Sequence, residues 1–215
     1  MWNCEGERIM EDKIKNIENM QIKELELLKE KYGLDATKYF LLKELQYGQD
    51  GVFTPEGFVE RFNSNLCNDL GNLLNRTVAM CNKYFNGVVP QYNGTPNEVD
   101  EEFEKFAGEQ IEKIEKKYDE YNVAVATQEI WVLISRTNKY IDETTPWALA
   151  KEEQTEKLES VIYHLIENLR KIAIVLLPIM ENTGKNILRQ LGIENSNLGI
   201  WESLSKYNQI TNAKV

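Results

Sequence analysis

The chain has 215 residues, of which 42% are hydrophobic, with 12 glycines, 5 prolines and a formal net charge of −10. This composition supplies one substantial core and favours helices over a β-rich fold. The negative balance excludes a uniformly basic nucleic-acid binder, so any RNA site has to be local.

Residues 1–24 read as a charged, weakly patterned N-terminal segment, and Met10 to Glu30 as an exposed helix with a partial stripe of Ile14, Ile17, Ile22, Leu25 and Leu28. Gly33 ends one helix, placed as a C′ residue. Asp35 is a natural N-cap for the next helix, where Tyr39, Phe40, Leu42 and Leu45 supply buried contacts. Gly48-Gln49-Asp50-Gly51 reads as a turn rather than a phosphate loop, and Val52-Phe53 as a short extended piece. Thr54-Pro55 is an N-cap followed by proline at the first helical position, and it opens a long helix running to Phe85.

That long helix has one apolar side: Phe62, Leu66, Leu70, Leu73, Thr77, Met80, Cys81 and Tyr84 recur at three- and four-residue steps. Projected at about 100° per residue, Asn65, Asn68, Asn72, Asn75, Arg76, Asn82, Lys83 and Asn86 gather opposite, with Asp69 at the margin. Asparagine is about 0.7 kcal/mol worse than alanine in a helix, and a plain solvated face is normally Glu, Lys and Gln. Amides donate and accept at once, which is what reading a base edge requires. The pattern fits a surface that hydrogen-bonds to a partner, and it also fits an ordinary surface helix in an asparagine-rich chain. The charge along the chain is uneven, and its positive part sits where the amide face is. Arg61, Arg76 and Lys83 face only Asp69 between Arg61 and Tyr92, whereas ten carboxylates and four lysines lie between Glu98 and Glu120.

A loop with Gly87, Pro90, Gly94 and Pro96 leads to a helix from about Val99 to Tyr118 and a strongly amphipathic one from Asn122 to Ile141. Thr145-Pro146 repeats the threonine–proline start. Trp147 follows in the first turn, where backbone N–H groups are free; it is either a stacking platform for an unpaired base or a lid on the core. A very apolar helix spans Leu158 to Leu177, Pro178 kinks or breaks it, and a further helix runs from Pro178 to Leu191, closed by Gly192. The tail is polar and expected to be loose, with Ile200, Trp201 and Leu204 as docking points. Helices with short connections and no strand run predict an all-α, antiparallel helical bundle.

Cys4, Cys67 and Cys81 show no CxxC spacing. Cys67 and Cys81 lie about 21 Å apart on one helix, too far for a disulfide, so buried thiols in a reducing compartment are expected. No apolar run approaches the roughly 18 residues of a membrane span, and the start lacks a signal pattern; a cytoplasmic protein with no membrane partner is expected. His164 is the one histidine. It can form neither a catalytic pair nor a metal site, so it reads as structural. No GxGxxG or GxxxxGK[ST] run is present.

Several blocks taken together are similar to one family. They are Glu30-Lys31-Tyr32-Gly33-Leu34-Asp35-Ala36 with Tyr39-Phe40-Leu41-Leu42, then Gly48-Gln49-Asp50-Gly51, and Leu70-Gly71-Asn72-Leu73-Leu74-Asn75-Arg76. The last pair is Asn138-Lys139-Tyr140-Ile141-Asp142-Glu143 and Pro146-Trp147-Ala148-Leu149-Ala150-Lys151. In order and spacing, from about residue 25 to 192, they resemble the C-terminal half of methionyl-tRNA synthetases. The resemblance implies a bundle of the class I synthetase anticodon-binding type over residues 25–192, a tail over 193–215, and a tRNA anticodon loop as partner. It implies that Asn72, Arg76 and Trp147 contact a CAU anticodon, that Asn68 belongs to the same surface and that Lys83 supports it. The family's His-Ile-Gly-His and Lys-Met-Ser-Lys-Ser signatures have no counterpart, and its Asp-Ala-Leu-Arg pattern is Asp35-Ala36-Thr37-Lys38 here. ATP, methionine and zinc sites are therefore expected in a catalytic half, in cis or trans, and not in this chain, which by itself should not charge tRNA. No DNA partner is expected. The alternative function is a non-catalytic helical module that docks another protein.

Overall fold

The computed structural model describes residues 23, 25–44, 54–95, 97–193, 197–204, 210 and 213–215. The part of the proposed exposed helix within 1–24 (Lys23 apart), Cys4, Leu45, the Gly48–Gly51 turn, Val52-Phe53 and Pro96 lie outside the described residues. Helical residues 25–32 close at Gly33 and lead into the helix Leu34–Glu44. Pro55–Arg61, a π-helical stretch Phe62–Gly71 and Asn72–Phe85 run on as one amide helix. An acidic helix Glu98–Asp119, the helix Val123–Thr144 and a short corner helix Pro146–Lys151 follow. A central helix Thr155–Leu176 and the helix Glu181–Gln190 complete the bundle, with 3-10 turns at Asn197–Gly199 and Trp201–Ser203. Among the described residues the β structure is a single bridge, Val88 to Lys214. The fold is the expected all-α bundle.

The central helix organises the core. Every residue from Ser160 to Leu176 is buried, and five other helices pack on it. Val161, Ile162, Leu165, Ile166, Leu169, Ile172 and Val175 are each fully shielded, at about 1.5–3 kcal/mol of burial apiece. A helix covered on all sides needs partners for its polar groups. Glu167 and Arg170 pair bidentately at 3.0 and 2.6 Å. His164 is structural, as expected: Nδ1 meets the Ser160 carbonyl at 2.7 Å and Nε2 lies 3.4 Å from the Glu104 carboxylate. Burial alone would raise the Glu104 carboxyl, but hydrogen bonds from His164 and Tyr92 outweigh it and hold the group below its ordinary value.

Arg170 also corrects the expectation of a loose tail. Its guanidinium donates to the Leu198 carbonyl at 2.7 Å and to Ser203 Oγ at 2.6 Å. Leu204 and Ile210 are buried. Val89 N–H donates to the Ala213 carbonyl, and Val215 N–H to that of Gly87, both at 2.9 Å. Gly192, with φ +69°, is needed here because a Cβ would run into the Lys214 carbonyl. These contacts join segments too far apart in sequence for any local pattern to announce them.

Two other expectations need correction. Asp35 does not cap its own helix. It sits in the first turn and accepts from Thr183 N–H at 2.6 Å and Thr183 Oγ1 at 2.8 Å. It thereby caps the Glu181–Gln190 helix, whose own N-cap residue makes no side-chain bond. A carboxylate satisfies the free first-turn N–H groups of any helix start within reach, including one distant in sequence. Of the two described thiols, Cys81 is buried and Cys67 exposed. Burial pushes the Cys81 thiol up to about 11.

Candidate nucleic-acid interface

The amide helix begins as its sequence predicts. Thr54 is extended, and its Oγ1 accepts from Gly57 N–H at 3.1 Å. Its apolar spacing then sets its shape. Phe58, Phe62, Leu66 and Leu70 recur at intervals of four. Those twelve residues, at about 100° each, overshoot three turns by about 120° in a straight α-helix. The first half must pack with Ala36 and Phe40 in a small core. The second half must place Leu70, Leu73 and Cys81 in the main core. Slower winding over Phe62–Gly71 brings the two stripes into phase, with Asn72 N–H reaching back to the Cys67 carbonyl. A π turn of this kind is uncommon and frequently marks a functional site.

Asn68, Asn72, Asn75, Asn82, Lys83 and Asn86 are exposed on the outer side, and Arg76 is half-buried. Asn72, Arg76 and Lys83 stand within about 40° of one another around the axis. Asn65 leaves this face: its Oδ1 accepts from Lys43 Nζ at 2.9 Å and its Nδ2 donates to Asp69 at 3.2 Å. Asn82 donates to the Val78 carbonyl of its own helix. Lys83 Nζ lies over the Tyr84 ring, 5.1 Å from its centroid.

Trp147 is an exposed group, 49% accessible, and not a lid on the core. Its position comes from the corner before it. Thr145 takes φ +42°, closes the Val123–Thr144 helix by donating to the Ile141 carbonyl at 3.0 Å, and caps nothing with its side chain. The backbone turns there, and Pro146, itself buried, starts the corner helix. This helix lies beside the end of the amide helix, where Leu149 and Ala150 share a cleft with Tyr84 and Phe85.

The two elements are tied at the candidate surface. Arg76 Nη2 donates to Asp142 Oδ1 at 3.1 Å, and Asp142 precedes Trp147 by five residues. Asn138, one turn earlier on the same face, donates to the Asp69 carbonyl at 3.0 Å. Sequence reasoning singled out neither Asn138 nor Asp142 as a site residue, although their spacing of four puts both on one side of their helix. Asn68, Asn72, Arg76 and Lys83 therefore share one exposed helix side, and the Arg76–Asp142 bond joins it to the corner that carries Trp147. Amides, a guanidinium and an indole on exposed, linked elements match the needs of an unstacked single strand: edges to hydrogen-bond and rings to stack.

Comparisons with known proteins bear on the family of the chain. The sequence model of the anticodon binding domain of methionyl tRNA ligase matches residues 89–212, and that of class I (M) tRNA synthetases matches residues 7–78. The chain is 50% identical over 187 residues to a methionine–tRNA ligase of Bacillus subtilis and 51% identical over 185 residues to one of Listeria innocua. Each alignment takes in 86% of this chain and 28% of the relative. Mycobacterium tuberculosis methionyl-tRNA synthetase, in its free state and bound to methionyl-adenylate, superposes with a TM-score of 0.81 at 29% identity. It covers 88% of this chain and 38% of the synthetase. This chain thus spans little more than a quarter of the length of the curated relatives it matches.

Proposed function

This chain belongs to the methionyl-tRNA ligase anticodon-binding family, and from that premise we propose that it reads the CAU anticodon loop of a tRNA. The bases of an opened loop stack on Trp147 and are hydrogen-bonded by Asn72 and Arg76, with Asn68 and Lys83 supporting. The observation that carries this reading is the Arg76–Asp142 contact at 3.1 Å, which joins the amide face to the Trp147 corner. Arg76 presents a guanidinium suited to a bidentate base contact, of the kind that contributes about 1–3 kcal/mol of discrimination. Activation of methionine with ATP is assigned to a catalytic domain in cis or trans, and the site of action to the cytoplasm, where tRNA is charged. No helix among the described residues is long and apolar enough to cross a membrane.

A net charge of −10 gives little help with phosphates, which usually dominate nucleic-acid affinity. Binding of the isolated chain is expected to be modest and strongly dependent on base identity. The test is a titration with a CAU stem-loop RNA and with the same stem-loop carrying a changed anticodon. A clear preference for CAU supports the reading. Equal affinity for both rejects it.

A further inference from the structure

We propose that Asn138 is a positioning residue for this surface: it holds the amide helix in its π register, and that register lines Asn68 up with Asn72 and Arg76. The proposal deepens the anticodon reading and rests on it. Asn68 and Arg76 are eight residues apart. In a straight α-helix they would diverge by about 80° around the axis. Asn68 lies inside the slowly wound Phe62–Gly71 stretch and Arg76 beyond it, so the π winding is what draws the Asn68 amide back toward the other two.

Three observations locate what holds this winding. The Asn138 amide donates to the Asp69 carbonyl, inside the stretch, at 3.0 Å, and contacts the Ile134 carbonyl of its own helix at 3.3 Å. A side chain from a neighbouring helix thus grips the π backbone at its last turn. Gly71 closes the stretch, and a Cβ there would sit 3.1 Å from the Leu66 carbonyl five residues back, tighter than an ordinary contact. The stretch also joins two separately packed halves, one on Phe40 and Phe58, the other on Leu73 and Cys81. A change of register therefore turns one half against the other and carries Asn68 away from Asn72 and Arg76.

The test uses the full chain, the CAU stem-loop and four proteins: wild type, Asn138→Ala, Asn68→Ala and the double variant. Asn138→Ala is expected to weaken RNA binding about fivefold, the range of one lost amide hydrogen bond, while unfolding stays cooperative. In the Asn68→Ala background the same change is expected to add almost nothing. A full second loss there would show that Asn138 acts by another route and would overturn the proposal, as would unchanged binding by the single variant. Register is read separately, without RNA, from trans-hydrogen-bond NMR couplings between Asn72 N–H and the Cys67 carbonyl. Their disappearance in Asn138→Ala is expected, and their persistence overturns the proposal. If the wild type ignores the RNA, the anticodon reading falls while the couplings still decide the register. Should Asn138→Ala fail to fold, Gly71→Ala, at an exposed position, replaces it with the same expected losses.

Discussion

Two threonine–proline corners in this molecule share a sequence signal and differ in outcome. At Thr54-Pro55 the threonine is extended, its hydroxyl caps the first turn, and a helical run to Phe85 follows. At Thr145-Pro146 the threonine adopts φ +42°, its hydroxyl caps nothing, and the helix that follows ends at Lys151. The Thr54 hydroxyl serves the helix that follows it. Thr145 already terminates the Val123–Thr144 helix through its own N–H, and from the left-handed backbone it takes there its hydroxyl caps nothing. The dipeptide marks a helix start in both places. The backbone the threonine adopts separates a stabilising cap from a sharp corner that turns an indole outward.

This contrast can be broken from either side. The largest effects are expected at the second corner and only in binding. Trp147→Ala should weaken affinity for the CAU stem-loop by about 1–3 kcal/mol, and Arg76→Ala by a similar amount, with little change in the thermal midpoint because both side chains are accessible. Titration beside a melting curve for each variant checks this, and a large drop in melting temperature for Trp147→Ala would make the indole a packing element instead. Next is Thr54→Ala, expected to lower stability by about 1 kcal/mol through loss of the Gly57 cap and to leave RNA affinity alone; denaturant unfolding measures it. Thr145→Asn should work in the opposite direction. A β-branched residue in the left-handed region is strained by about 1–2 kcal/mol and asparagine less so, so a gain of up to about 1 kcal/mol is expected, with RNA affinity preserved. The smallest effect touches neither corner. The lowered Glu104 contributes stability that is complete above the ordinary carboxylate pKa and is lost as pH falls through its own. Glu104→Gln should therefore lose less stability than wild type between about pH 7 and about pH 3, read by melting at each pH.

Much of the molecule is legible in the sequence because its signals are local. Helix periods, the Thr54-Pro55 start, Pro178 and Gly192 all act within a few residues, and the expected helices lie where their periods put them. The exposed side of the amide helix is legible too, since Asn68, Asn72, Asn75, Asn82 and Asn86 stand opposite its apolar spacing. The missing parts depend on distant contacts. Asp35 has the chemistry of a cap, but which helix start it serves is settled only when Thr183 folds against it. The tail looks polar because its anchors are the Arg170 guanidinium and the backbone around Gly87. The π stretch is an intermediate case. Intervals of four from Phe58 to Leu70 are visible in the sequence, but a fixed projection of about 100° per residue spreads them into a broad stripe. The same projection put Asn65 on the outer face, where the structure binds it to Lys43 and Asp69.

The backbone clasp between Gly87–Val89 and the 213–215 segment bears on the end of the amide helix. The hydrogen bonds that Ala213 and Val215 exchange with Val89 and Gly87 hold the point where the amide helix hands over to the loop. Val215→Pro, which removes the N–H that reaches the Gly87 carbonyl, therefore pulls on the last turn of the helix that carries Lys83. That variant would show premature fraying of the turn in amide exchange, although the altered residue lies more than a hundred positions downstream.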